Sequence, residues 1–184
     1  MITRPLLLLL LLGLLSFASL ATAQTRDHLT PQEVDLVKEA QVLDKRIEIF
    51  IKAADRRILV LNGGTATAAN TKQAKKDAER WGELPTGSRA ELISDIAQIF
   101  DEAITNIDDV SARDERNPLI AKSLRKLATA VNAILGQLKP LSTDAKSDAE
   151  IASFEMLNED AQSILEAANK LPPEVVDKKA KKNN

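Results

Sequence analysis

The sequence predicts an all-α protein, an antiparallel up-down-up-down four-helix bundle with a long connection between its first two helices. Three observations point there. The 184 residues contain no tyrosine or cysteine and are only 3% aromatic, so the core must be aliphatic, and the dominant residue types are strong helix formers. Apolar residues recur at steps of three and four through four separate stretches, which marks one buried side of a helix. Those stretches are bounded by capping boxes, Asn-Gly-Gly and Pro, the usual punctuation of helix ends.

The chain opens with MITRPLLLLLLLGLLSFASLATA, read as a cleaved Sec-type signal over residues 1–23. Arg4 gives the positive start, Leu6 to Leu15 the apolar middle and Ala21-Thr22-Ala23 a small-residue cleavage pattern. The apolar run is about half the roughly 20 residues that a membrane span needs. An exported protein, periplasmic or extracellular, is therefore expected. The formal charge of −2 becomes −3 when Arg4 leaves with the signal. Such a balanced charge argues against nucleic acid as a partner. Without cysteine there is no disulfide, thiolate ligand or thiol nucleophile.

Residues 24–29 read as a linker that holds the only histidine, His28, expected to be exposed. Thr30-Pro31-Gln32-Glu33 is a capping box with Pro at the first helical position. Leu36, Ala40, Leu43, Ile47, Phe50, Ala54, Ile58 and Leu61 then hold the helical period without a break, up to Asn62-Gly63-Gly64. The alternation Ile47-Glu48-Ile49-Phe50-Ile51 could suggest a strand, but Lys52 to Arg57 offers no turn residue for a hairpin. One helix over residues 31–61, roughly 45 Å long, is expected. Residues 62–87 form a long excursion with a short helix at 71–81 that carries Trp81.

Ser88-Arg89-Ala90-Glu91 is a second capping box and opens a helix over 89–112, with Ile93, Ile96, Phe100, Ala103 and Ile107 on its inner side. Asn117-Pro118 starts a third, over 118–139, which Lys139-Pro140 should stop. Ser142 or Thr143 caps a fourth, over 143–171, ending at Pro172. In an alternating bundle Phe50, Phe100 and Phe154 would share one level. Residues 172–184 read as a disordered basic tail, with lysines at 178, 179, 181 and 182.

Catalytic, cofactor and metal motifs are not found in the sequence. A serine or threonine nucleophile would lack a histidine fixed by packing. Asp101-Glu102, Asp108-Asp109 and Glu159-Asp160 are adjacent pairs, which diverge by about 100° on a helix and read as solvated faces. The Glu-x-x-His pattern of bundle metal sites is absent.

One feature exceeds what a bundle needs. Val42, Ile49, Ala53 and Val60 fall roughly 100–140° away from the core stripe of the first helix, on a second apolar line. Either that helix touches two neighbours, or residues 62–87 fold back over it, or the line docks another protein or a second copy of the chain. Trp81, beside Lys75, Lys76 and Arg80, invites a membrane-surface reading, but two alanines are too weak an apolar partner, and a cover over the bundle is favoured. Val42, Ile49, Ala53, Val60 and Trp81 are thus the candidate protein-contact residues. The expected function is non-enzymatic, through protein–protein contacts. A carrier for an apolar or amphipathic molecule is the alternative, its cavity lying where Ala54, Ala103 and Ala161 leave room.

Overall fold

A computed structural model describes residues 26–64 and 78–173. All of its regular elements are helical: α1 (Pro31–Glu39), α2 (Leu43–Leu61), α3 (Arg89–Arg113), α4 (Pro118–Thr143) and α5 (Asp148–Asn169). Residues 78–81 form a further helical turn. The targeting segment, most of the short helix expected at 71–81 and nearly all of the basic tail lie outside the described residues. Among those described, no helix is long and apolar enough to cross a membrane.

The single helix expected over 31–61 is two helices. Ala40 (φ −77°, ψ 90°) and Val42 (φ −93°, ψ 127°) are extended, and the helical hydrogen bonds stop between them. In a continuous helix residues 33 and 57 would be about 36 Å apart. Instead the Glu33 carboxylate is 2.8 Å from the Arg57 guanidinium, so α1 folds back along α2. The carbonyls freed at the break are taken up locally. Arg46 Nε donates to Ala40 O at 3.0 Å and Gln41 Nε2 to Lys38 O at 3.0 Å. The apolar period persists across the break because it records which residues are buried, not whether the backbone between them is helical.

Two further boundaries differ from expectation. Helix α4 passes through Pro140 to Thr143. In the last turn the proline sacrifices one backbone donor only, and Ser142 Oγ and Thr143 Oγ1 both donate to Lys139 O, at 3.0 and 3.1 Å. Helix α5 starts at Asp148, not 143, because Ser147 supplies the cap: its Oγ accepts from Glu150 N at 3.2 Å. Phe154 therefore lies six residues into α5, against eleven for Phe100 in α3, a difference of about 7–8 Å along the axis. The Arg89 and Glu150 side chains meet at 3.5 Å near the starts of α3 and α5, so the two helices begin at about the same level and Phe154 does not share the level of Phe100.

Ion pairs and hydrogen bonds fix the helix directions. Arg46 reaches Asn106 and Arg57 approaches Asp95, so α2 and α3 are antiparallel. Asp44 pairs with Lys122 and Glu48 with Lys126, so α2 and α4 are parallel. Arg89 donates to Leu141 O and Arg125 to Pro172 O, so α4 runs opposite to both α3 and α5. The core lies among α2 to α5, where Ile47, Phe50, Ile96, Phe100, Leu127, Val131, Leu157 and Ile164 are fully buried. The most extensive helix packing is between α3 and α5.

Truncation at the core and at the surface should separate cleanly. Phe100→Ala is expected to cost about 3–5 kcal/mol in urea unfolding, whereas Leu59→Ala, at a side chain 44% exposed, should stay within about 0.5 kcal/mol. Similar costs for the two would contradict the packing described here.

Candidate functional site

The chemistry-bearing side chains gather where the N-terminal segment crosses α2 and α3. Glu33 is the hinge of this cluster. As the third residue of the capping box it accepts the Thr30 backbone N–H on Oε2 at 2.9 Å, while Thr30 Oγ1 accepts from Glu33 N at 3.3 Å. That leaves Oε1 free for the Arg57 guanidinium at 2.8 Å, with Arg56 Nε at 3.5 Å. Glu33 is 0% exposed and Arg57 1%, so neither charge has bulk water to fall back on. Arg57 also donates to the carbonyls of Ala53 and His28 and lies 3.6 Å from Asp95. Asp95 in turn accepts two parallel bonds from Arg26, each 2.9 Å. Burial pushes the Asp95 carboxyl above its ordinary range, against the opposing pull of Arg26 and Arg57.

Arg56 reaches different partners through its terminal nitrogens, while its buried Nε makes no hydrogen bond. It donates to the carbonyls of Trp81, Gly82 and Glu83, and its guanidinium lies 5.5 Å from the centre of the Trp81 ring. Residues 78–81 end a helical turn whose last carbonyls lack internal partners, and an arginine is a natural complement to them. Gly82, at φ 65°, takes the left-handed conformation that lets the chain leave this turn. His28, expected to be exposed, is instead partly buried, with Nε2 2.8 Å from Glu102 on α3, and the neighbouring Leu29 belongs to the core.

This cluster decides the fate of the second apolar line on α2. Ala53 is fully buried and Val60 half-buried, while Ile49 is only 8% exposed. Covering by α1 and by the 81–83 turn accounts for the inner part of that line. Val42, at the break before α2, remains 49% exposed. A groove of about 680 Å³ opens there between the break, α2 and the 80–81 turn. Val42, Ile49 and Trp81 line it together with Leu36, Glu48 and Arg80. The structure thus brings together three of the five candidate contact residues and removes Ala53 and Val60 from the same surface.

Two other clefts are smaller. One of about 500 Å³ runs between α2 and α4, beside Ile51, Lys126 and Ala130. Another, of about 360 Å³, separates α1 from α3 beside His28, Val34, Val37 and Glu102. None of the three is lined by Ala54, Ala103 or Ala161, which are fully buried in the core.

Across α2 and α4, the Lys126 ammonium holds the Asp44 carboxyl below its ordinary range, and Lys126 and Lys45 do the same for Glu48. On the opposite side of the fold, carboxylates face one another instead. Burial, with added repulsion from Asp101 and Glu159, raises the Asp160 carboxyl to about 6. Asp101 and Asp160 belong to different helices, so this repulsion acts across the α3–α5 contact, with the sequence neighbour Glu159 adding to it. Among the described residues no group of three or more His, Cys, Asp or Glu is arranged to hold a metal ion. No protein-family model, curated protein or solved structure matches the chain.

The sign of the Asp160 effect is definite. Its folded value lies above the ordinary 3.8, so its contribution to stability is greatest below about pH 4 and is lost as pH rises to about 6. Asp160→Asn should therefore stabilise the protein at pH 7 by at most about 1 kcal/mol after solvent screening, roughly 2–4 °C in Tm. The gain should shrink at pH 4, and an equal gain at both pH values would contradict the assignment.

Proposed function

We propose that this chain is an exported, non-enzymatic protein that folds as an antiparallel up-down-up-down four-helix bundle and acts by binding another protein in the periplasm or outside the cell. The residue pattern of 1–23 supports export. The alternating directions of α2, α3, α4 and α5 support the bundle. The groove beside Val42 carries the functional reading. It presents an exposed valine between a half-buried tryptophan and an aliphatic wall, rimmed by Arg80 and Glu48. An apolar floor with a charged rim is the anatomy of a protein-contact surface, and tryptophan and arginine are the residue types that most often dominate binding energy. The carrier alternative would need a cavity beside Ala54, Ala103 and Ala161, and the described clefts do not reach those residues.

Val42→Asp is the discriminating variant, because Ile49→Asp would place a charge at a position only 8% exposed and unfold the protein. In intact cells expressing the full chain, wild-type protein should cross-link to a partner or to a second copy. Val42→Asp should lose that adduct while its circular dichroism is unchanged and its Tm moves by less than about 2 °C. An adduct that survives the substitution, or its absence from the wild type, would refute the groove as a contact surface.

A further inference from the structure

Helix α1 is the least embedded of the five. Its substantial packing is against α2 alone, whereas α2, α3, α4 and α5 each pack against two or more others. Its buried side chains are Glu33 and Leu36, to which the preceding segment adds Leu29. Val34 and Val37 add partly buried apolar contacts, and the remaining attachment is ionic or polar: Arg26 to Asp95, His28 to Glu102 and Glu33 to Arg57. Both flanks of α1 are open, to the 680 Å³ groove on one side and the 360 Å³ cleft against α3 on the other. Behind it, the extended backbone at Ala40 and Val42 joins it to α2 without helical hydrogen bonds.

We infer that residues 26–39 form a detachable strap that swings from the body as one unit about the 40–42 junction, uncovering the α2 flank at Ala53 and Arg57. Elements with little buried apolar surface open locally at a small fraction of the global unfolding cost. The outer anchors favour such an opening. The side chains of Arg26 and Glu102 are each 35% exposed while paired, so water can replace their partners in the open state, and the penalty for burying charge in the closed state is relieved. Leu36 and Glu39 also form part of the groove wall, so the position of the strap sets the width of the groove. The inference does not depend on that groove binding a protein.

Hydrogen exchange read by mass spectrometry tests it on the protein purified from cells expressing the full chain. Amides from Val34 to Ala40 should exchange together, about 100-fold faster than the cores of α3, α4 and α5. Raising NaCl to about 1 M should speed α1 severalfold further and leave α3 to α5 unchanged, because the partly exposed anchors are screened. Glu33→Gln, which keeps the cap but removes the charge facing Arg57, should accelerate α1 by about 10-fold or more and nothing else. Exchange of α1 at the rate of α3 would overturn the strap. So would graded fraying from one end, indifference to salt, or acceleration of every helix alike by Glu33→Gln. Loss of the cross-linked partner in intact cells would leave these readouts unmoved, so the two readings can fail separately.

Discussion

The buried pair between Glu33 and Arg57 decides where the N-terminal third of the described chain goes. Its two charges are almost fully removed from water, and neither can be left alone without a penalty of several kcal/mol. Once they meet, α1 has to reverse against α2, the 40–42 break has to form, and the Thr30 cap, which shares Glu33, is locked in register. Such a pair is a weak source of net stability compared with a well-packed apolar alternative. Its consequence is specificity: it excludes the straight 31–61 helix that the apolar period alone would allow.

The same logic repeats around the fold with less burial. Arg57 and Arg26 share Asp95, tying the N-terminal segment to the start of α3. Arg56 gathers three successive carbonyls of residues 81–83, fixing the end of the excursion over α2. Lys126 bridges Asp44 and Glu48 and holds α4 parallel to α2. Aliphatic burial drives the four longer helices together, while these charged cross-links choose which neighbour each one meets and in which direction. The contrast is the α3–α5 side, where Asp101, Glu159 and Asp160 repel and apolar packing must prevail over like charge.

Much of this was legible in the sequence. The capping boxes at Thr30 and Ser88 mark helix starts because their geometry is local, encoded within four residues. Most of the core stripes of α2 to α5 follow from period, although Ile151, which the period places on the inner side of α5, is 43% exposed and Ile99, off the α3 stripe, is fully buried. The break at 40–42 was not legible, since Glu39-Ala40-Gln41-Val42 contains no helix breaker and its cause is a pairing between Glu33 and Arg57, 24 residues apart on either side of it. The start of the last helix is ambiguous in sequence because Ser142, Thr143 and Ser147 are all competent caps; Ser142 and Thr143 are engaged in closing α4 over Pro140, which leaves Ser147 as the cap. For the candidate surface, the surplus line on the first helix pointed to Val42 and Ile49, and Trp81 stood out separately as the one tryptophan of the excursion. A fold-back of residues 62–87 over that line was legible as an alternative, but the reversal of α1 against α2 was not. The sequence does carry a signal of that reversal: Arg56-Arg57 interrupts an apolar stretch, and adjacent arginines that deep in a helix need buried partners.

A double-mutant cycle across Glu33 and Arg57 probes the founding interaction most directly. With Glu33→Ala, Arg57→Ala and the double variant unfolded in urea, the account predicts a coupling energy above about 2 kcal/mol, the double variant being less damaged than the two single losses combined. Additivity within about 0.5 kcal/mol would mean that the two side chains do not depend on each other, and that something other than their pairing turns the chain at residues 40–42.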